Sequence, residues 1–341
     1  MCEYEETMQR LRANNVKATV MFFGSARSKD SAAHAKAVAK ASARLKAAAA
    51  GSDEAKAAQA SLEGLAASEW MCDYMERIRE LARRITQWSV SHAAKQLEVV
   101  SGVARVSRLK RTREEGESEA IAEAGGSSGR RSRNDNDGAF RYKPHSTDDP
   151  AVVPEHARLE PPSPSRDGTG GKTLPVYICT GGGPGFMEAA NRGAADVPGG
   201  KSIGMGITLP FETGLNPYVT PELAFEYHYF FTRKFWMAFH MQALVVAPGG
   251  FGTMDELFEL LTLKQTGKVQ RSLPVVLIGK DYWKSVINWD SLASYGVINP
   301  KDVDELLFTD DISEAFDFIV QGLEAGISGW EAAAPSDAHG E

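Results

Sequence analysis

A chain of 341 residues with 43% hydrophobic content can bury a sizeable core in one large or two small domains. Its net charge of −7 excludes nucleic-acid binding driven by bulk charge, and no apolar run is long enough to cross a bilayer. Small molecules or other subunits are therefore the expected partners, with neither nucleic acid nor membrane among them.

Residues 1–15, "MCEYEETMQRLRANN", form a tail or helix that is acidic and lacks an apolar signal core. No secretion or transit signal is expected, which predicts a cytoplasmic protein. The three cysteines, Cys2, Cys72 and Cys179, are far apart and form no CxxC, so neither a disulfide framework nor a cysteine zinc site is expected. The histidines are scattered without metal-ligand spacing, and no metal or other cofactor is expected.

Residues 16–27, "VKATVMFFGSAR", read as a strand ending in a Gly-Ser turn. Residues 30–68 are rich in Ala and Lys, which favours helix with a thin apolar face. A stronger amphipathic helix follows over 70–89, with Met71, Tyr74, Met75, Ile78 and Leu81 at three- and four-residue steps. These elements make 16–100 the first part of a Rossmann-like domain. Residues 101–172 then turn to Gly, Ser, Pro and mixed charge, a composition that predicts a disordered insert.

Order returns over 173–326. Apolar runs at 174–180, 202–208, 224–229, 242–247 and 274–279 alternate with helical ones. Each run is continuous rather than alternating, as in strands covered on both faces. The pattern predicts an α/β, doubly wound, mostly parallel sheet in a single domain, with a loose tail over 327–341.

Three of these strands end in small-residue turns, "FFGSAR", "ICTGGGPGFME" and "VVAPGGFGTMDE". In doubly wound sheets, ligands bind outside the carboxyl ends of the strands. Glycines there bring backbone N–H groups at a helix start close to an anion, usually a phosphate. Neither long loop has GxGxxG spacing or a P-loop GK[ST], so a compact monophosphate fits better than ATP or NAD. The candidate substrate-binding residues are Gly24, Ser25, Gly181, Gly182, Gly183, Glu188, Lys234, Gly249, Gly250, Gly252 and Thr253.

Thr253 and Glu256 also form a T-x-x-E pair, and spacing alone favours a capping box. In the alternative reading, the Glu256 carboxylate stands at the mouth of a phosphate site, within reach of a sugar. Glu188 either joins the same site or caps its own helix. Arg233 and Lys234 interrupt an aromatic helix, as a snorkelling pair or an anion site would.

Together these residues resemble the Lonely-Guy family of cytokinin-activating phosphoribohydrolases, whose members are often labelled lysine decarboxylases. "PGGFGTMDE" matches its PGGxGTxxE signature, "GGGPGFMEAANRGA" its second glycine loop in the type II-like form, and "FGSAR" its first. The resemblance covers about residues 16–29, 70–89 and 174–325. It implies hydrolysis of a nucleoside 5′-monophosphate at its N-glycosidic bond. It also implies Arg233 and Glu256 as the catalytic pair, the glycine loops and Thr253 on the phosphate, and a homodimer. A broad nucleotide nucleosidase stays open beside this, as does a non-catalytic nucleotide sensor. A true lysine decarboxylase finds no supporting cofactor motif.

Overall fold

The computed structural model describes residues 2–91, 176–208, 214–269 and 273–331. The expected insert over 101–172 lies outside the described residues. Among the described residues, seven parallel strands form one sheet: β1 (Ala18–Phe23), β2 (Val176–Thr180), β3 (Ser202–Ile207), β4 (Ala224–Tyr227), β5 (Met241–Val246), β6 (Val275–Ile278) and β7 (Leu306–Thr309). Their spatial order is β4-β3-β2-β1-β5-β6-β7. The chain lays strands outward from β1 in one direction, then returns to β1 and builds the other way. This reversal between β1 and β5 is where a doubly wound sheet opens a ligand crevice at its carboxyl edge.

Side chains of β1 alternate between two cores, as period-two geometry requires. Ala18, Val20 and Phe22 face one layer, with Ile78, Leu81, Ile85 and Ile319. Met21 and Phe23 face the other, with Trp236, Leu257 and Trp283. Both faces of the central strands are therefore covered, which explains their continuous apolar character.

The helices are α1 (Cys2–Ala13), α2 (Ser31–Ala47), α3 (Asp53–Ser68), α4 (Met71–Val90), α5 (Phe186–Ala195), α6 (Phe230–Phe239), α7 (Phe251–Gln265), α8 (Lys280–Val286), α9 (Trp289–Ser294), α10 (Pro300–Asp304) and α11 (Ile312–Glu331). On α4, Ile78, Leu81 and Ile85 are fully covered, each worth about 1.5–3 kcal/mol relative to exposure. The Ala-rich stretch forms two helices, α2 and α3. Gly51, at φ +79°, turns the chain between them. Asp30 and Ser52 cap their starts by accepting from Ala33 N and Ala55 N. Only His34, Ala41 and Ala58 are buried on this pair, so its packing is thin. At the other end of the described chain, α11 continues to Glu331, inside the stretch expected to be loose.

Helix α1 braces the strand and helix that carry the site. The Arg10 guanidinium donates to the carbonyls of Pro221, Glu222 and Ala224 and lies 4.3 Å over the Phe225 ring. Glu3 accepts from His228 N and Thr232 Oγ1 at the head of α6. Among the described residues, no helix is long and apolar enough to cross a membrane.

Candidate active site

Three loops meet at the carboxyl edge. Ser25 N donates to Pro248 O at 2.9 Å, and Ser25 O accepts from Phe186 N at 3.2 Å. One residue thus ties the loops after β1, β2 and β5 together. Its hydroxyl is taken up locally, accepting from Arg27 N. Gly24 lets this junction close, since a Cβ there would sit 2.8 Å from Phe186 Cβ and 2.9 Å from Ala247 Cβ.

The loop after β2 is held by a buried polar network. Thr180 Oγ1 accepts from Gly182 N and donates to Asn191 Oδ1, both at 2.8 Å. Asn216 Nδ2 donates to Asn191 Oδ1, to Gly182 O and to Gly183 O. Sequence reasoning did not single out Thr180, Asn191 or Asn216. The loop's fixed shape depends on all three, because a buried carbonyl left without a donor costs about 1–3 kcal/mol.

Helices α5 and α7 begin immediately after glycine N-caps, Gly185 and Gly250, and no side chain caps either one. Their first-turn N–H groups therefore favour an anion. Gly252 and the exposed Gly250 stand at the head of α7, with open space where a Cβ would be. Thr253 is buried one step further, and a Cβ on Gly249 would overlap its Oγ1.

This arrangement rules out the capping box. Gly250, not Thr253, is the N-cap, and Glu256 lies inside the second turn of α7. The Glu256 carboxylate turns instead to α6, where Arg233 Nη1 donates to its Oε1 at 3.0 Å. Arg233 Nε donates to Met205 O at 2.7 Å, anchoring the guanidinium on β3. Arg233 is 9% exposed and Glu256 7%, so the pair is buried where charge interactions are strong. Burial pushes the Glu256 carboxyl above the usual glutamate range, although Arg233 and Lys234 oppose the rise.

The pair reaches the second glycine loop through Gly181. A Cβ on Gly181 would stand 2.8 Å from Arg233 Nη2 and 2.9 Å from Met187 Sδ. Gly181→Ala is therefore expected to displace the guanidinium while leaving the fold intact. An ångström of misplacement is worth about 10²-fold in rate, against about 1–3 kcal/mol of stability for overpacking. Comparing kcat with the melting curve of this variant checks the expectation, and an unchanged kcat would sink it.

Glu188 lies half-buried in the first turn of α5, without a hydrogen bond or ion pair among the described residues. It therefore does not cap its helix. The Lys234 ammonium is engaged by α7, lying 2.8 Å from Asp255 Oδ2 and 2.7 Å from Glu259 Oε2. Burial alone would lower the Lys234 pKa, but these two carboxylates outweigh it and raise it. An ammonium held protonated is a poor Schiff-base nucleophile. Among the described residues, no group of three or more His, Cys, Asp or Glu is placed to hold a metal ion.

Residues 187–319 match the family model described as "possible lysine decarboxylase". Over 70 residues the chain is 39% identical to cytokinin riboside 5′-monophosphate phosphoribohydrolase LOG3 of Arabidopsis thaliana. It is 37% identical over 70 residues to LOG1 of the same plant, which bears the same description. Each match covers 20% of this chain and 32% of the relative, so the similar stretch spans about a third of the relatives' length. The glycine-loop motifs, the doubly wound parallel sheet and these matches agree in their similarity to the Lonely-Guy family.

Proposed function

We propose that the protein hydrolyses the N-glycosidic bond of a nucleoside 5′-monophosphate, a cytokinin riboside 5′-monophosphate or an AMP-like nucleotide, to free base and ribose 5-phosphate. The observation that carries this reading is the buried Arg233–Glu256 pair beside two glycine loops with uncapped helix starts. In this reading the first-turn N–H groups of α7, Gly249, Gly250, Gly252 and Thr253 hold the phosphate. The loop Gly181–Gly183 and the junction at Gly24 and Ser25 complete the cradle.

Phosphate binding anchors the nucleotide at a point remote from the scissile bond, and that binding energy serves orientation. As the bond between C1′ and the base nitrogen breaks, its electron pair leaves with the base and positive charge builds on the ribose. The Glu256 carboxylate stabilises that charge. The same carboxylate orients the water whose oxygen bonds to C1′, while the water's proton balances the base that departs. Arg233 fixes the carboxylate through Nη1 and leaves Nη2 facing the loop at Gly181. Glu188 supplies a free carboxylate for sugar or base contacts.

Incubation with AMP, an isopentenyl-AMP-type substrate and a pyrimidine monophosphate tests this reading. Free base from the purine nucleotides supports it, and equal release from all three favours a broad nucleosidase. Binding without base release from any of them favours a sensor and defeats the proposal.

We further propose a homodimer in the cytoplasm. Tyr229, Phe230 and Phe231 are 62%, 51% and 71% exposed in a row at the start of α6, an apolar patch of the kind that marks an interface. Light scattering is expected to report a dimer that Phe231→Glu weakens, and a monomeric wild-type protein would refute it. Cys72 and Cys179 are free thiols, consistent with a reducing compartment.

A further inference from the structure

Two consecutive cations on α6 divide three carboxylates on α7 between them. Arg233 takes Glu256, while Lys234 takes Asp255 and Glu259, the residues one before and three after it. The Lys234 side chain is only 19% exposed, and its ammonium contacts both carboxylates within 2.8 Å. A group so engaged has little capacity left for a substrate phosphate. We propose that Lys234 is a positioning residue: its ammonium clamps Asp255 and Glu259, offsets their charge at Glu256, and sets α6 against α7 so that Arg233 and Glu256 stay aligned.

The charge argument rests on what surrounds Glu256. Arg233 and Lys234 face it from α6, and Asp255 and Glu259 flank it on its own helix. Cys179 of β2 lies beyond Arg233, buried with its thiol held neutral. Without Lys234, two uncompensated carboxylates would stand beside a buried third one. Like charges at such range disfavour ionisation of their neighbour. Glu256 would then hold its proton to higher pH, and the fraction competent to stabilise a ribosyl cation would fall.

The proposal deepens the hydrolase reading, so its test separates the two. In Lys234→Met, the acid limb of the kcat–pH profile is expected to move to higher pH. The loss is about tenfold on the acidic side and small at alkaline pH, with KM little changed. Lys234→Arg is expected to retain the wild-type limb. Lys234→Met combined with Asp255→Asn and Glu259→Gln is expected to restore it, because the charges that needed neutralising are gone.

A KM raised about tenfold with an unmoved acid limb would overturn the proposal and make Lys234 a substrate contact. Failure of the triple variant to restore the limb would overturn it too. If Lys234→Met does not fold, Asp255→Asn with Glu259→Gln reads the clamp from the other side. That pair is expected to move the limb to lower pH, and an unmoved limb rejects the clamp. If the wild-type protein releases no base, the hydrolase reading falls, but the clamp is still measured. The carbon-13 resonance of the Glu256 carboxyl, assigned by Glu256→Gln, must titrate at higher pH in Lys234→Met and return in the triple variant. No movement of that resonance overturns the clamp.

Discussion

Glu256→Gln is expected to lower kcat by roughly 10²–10⁴-fold while changing KM for the nucleotide little. The substitution keeps the shape of the side chain and still offers an oxygen to Arg233 Nη1, so the loops proposed to hold the phosphate are undisturbed. What disappears is the charge that would stabilise the ribosyl cation and orient water. The same logic sets the pH dependence. Because burial raises the Glu256 pKa, the ionised form is lost as pH falls through a value above the usual glutamate range.

The wild-type rate should therefore decline on an acid limb lying above that range, and the limb should vanish in the residual activity of the glutamine variant. The stability sign runs the other way. With a folded-state pKa above the unfolded one, the folded protein holds more protons between the two values, so stability falls as pH rises through that window. Above it the charged carboxylate is a net cost that glutamine lacks. Glutamine also leaves the buried Arg233 cation without its charged partner, so the variant is expected to melt below wild type at neutral pH. A variant that keeps wild-type kcat would remove Glu256 from the chemistry.

Arg233 is expected to matter for both rate and fold. Arg233→Lys keeps the charge but loses the planar fork that reaches Met205 O and Glu256 Oε1 together. A loss of about 10²–10³-fold in kcat/KM follows, comparable to removing one oriented donor from a transition state. Arg233→Met goes further by leaving a buried carboxylate without its partner, which costs about 3–5 kcal/mol. For a domain of this size that is a fall on the order of 10 °C in melting temperature.

Adding Glu256→Gln to Arg233→Met should recover part of that loss, because the second change removes the stranded charge. Thermal melts of the two single variants and the double variant measure the coupling. Additive losses would show that the two side chains do not act as a pair.

The central strands were legible because each is a continuous apolar run buried on both faces, as in "ALVV" of β5 and "VYICT" of β2. The strand β7, "LLFT", was not. It sits at the sheet edge, its middle residues are half-buried, and acidic residues precede it, so its pattern is weak. The helices α8 to α10, of seven, six and five residues, are too short to show a 3.6-residue period.

The glycine loops stood out from composition alone, but their division of labour did not. Gly24, Gly181 and Gly249 are sites of close approach to neighbouring side chains, whereas Gly250 and Gly252 face open space. The T-x-x-E spacing suggested a cap because local sequence cannot show that the helix starts at Phe251. Nor can it show that α6 brings Arg233 to Glu256 across 23 positions. Asn216 escaped notice for a related reason, since its partners, Gly182, Gly183 and Asn191, lie 25 to 34 positions away.

The central claim is that this site cuts the bond between ribose and base rather than a phosphoester. Turnover of AMP and of an isopentenyl-AMP-type nucleotide in oxygen-18 water tests it most directly. Free base and ribose 5-phosphate are expected in equal amounts, with the label on C1 of the sugar and none in inorganic phosphate, and Glu256→Gln is expected to suppress both products together. Label appearing in inorganic phosphate with intact nucleoside, or tight nucleotide binding with no labelled product at all, would contradict it.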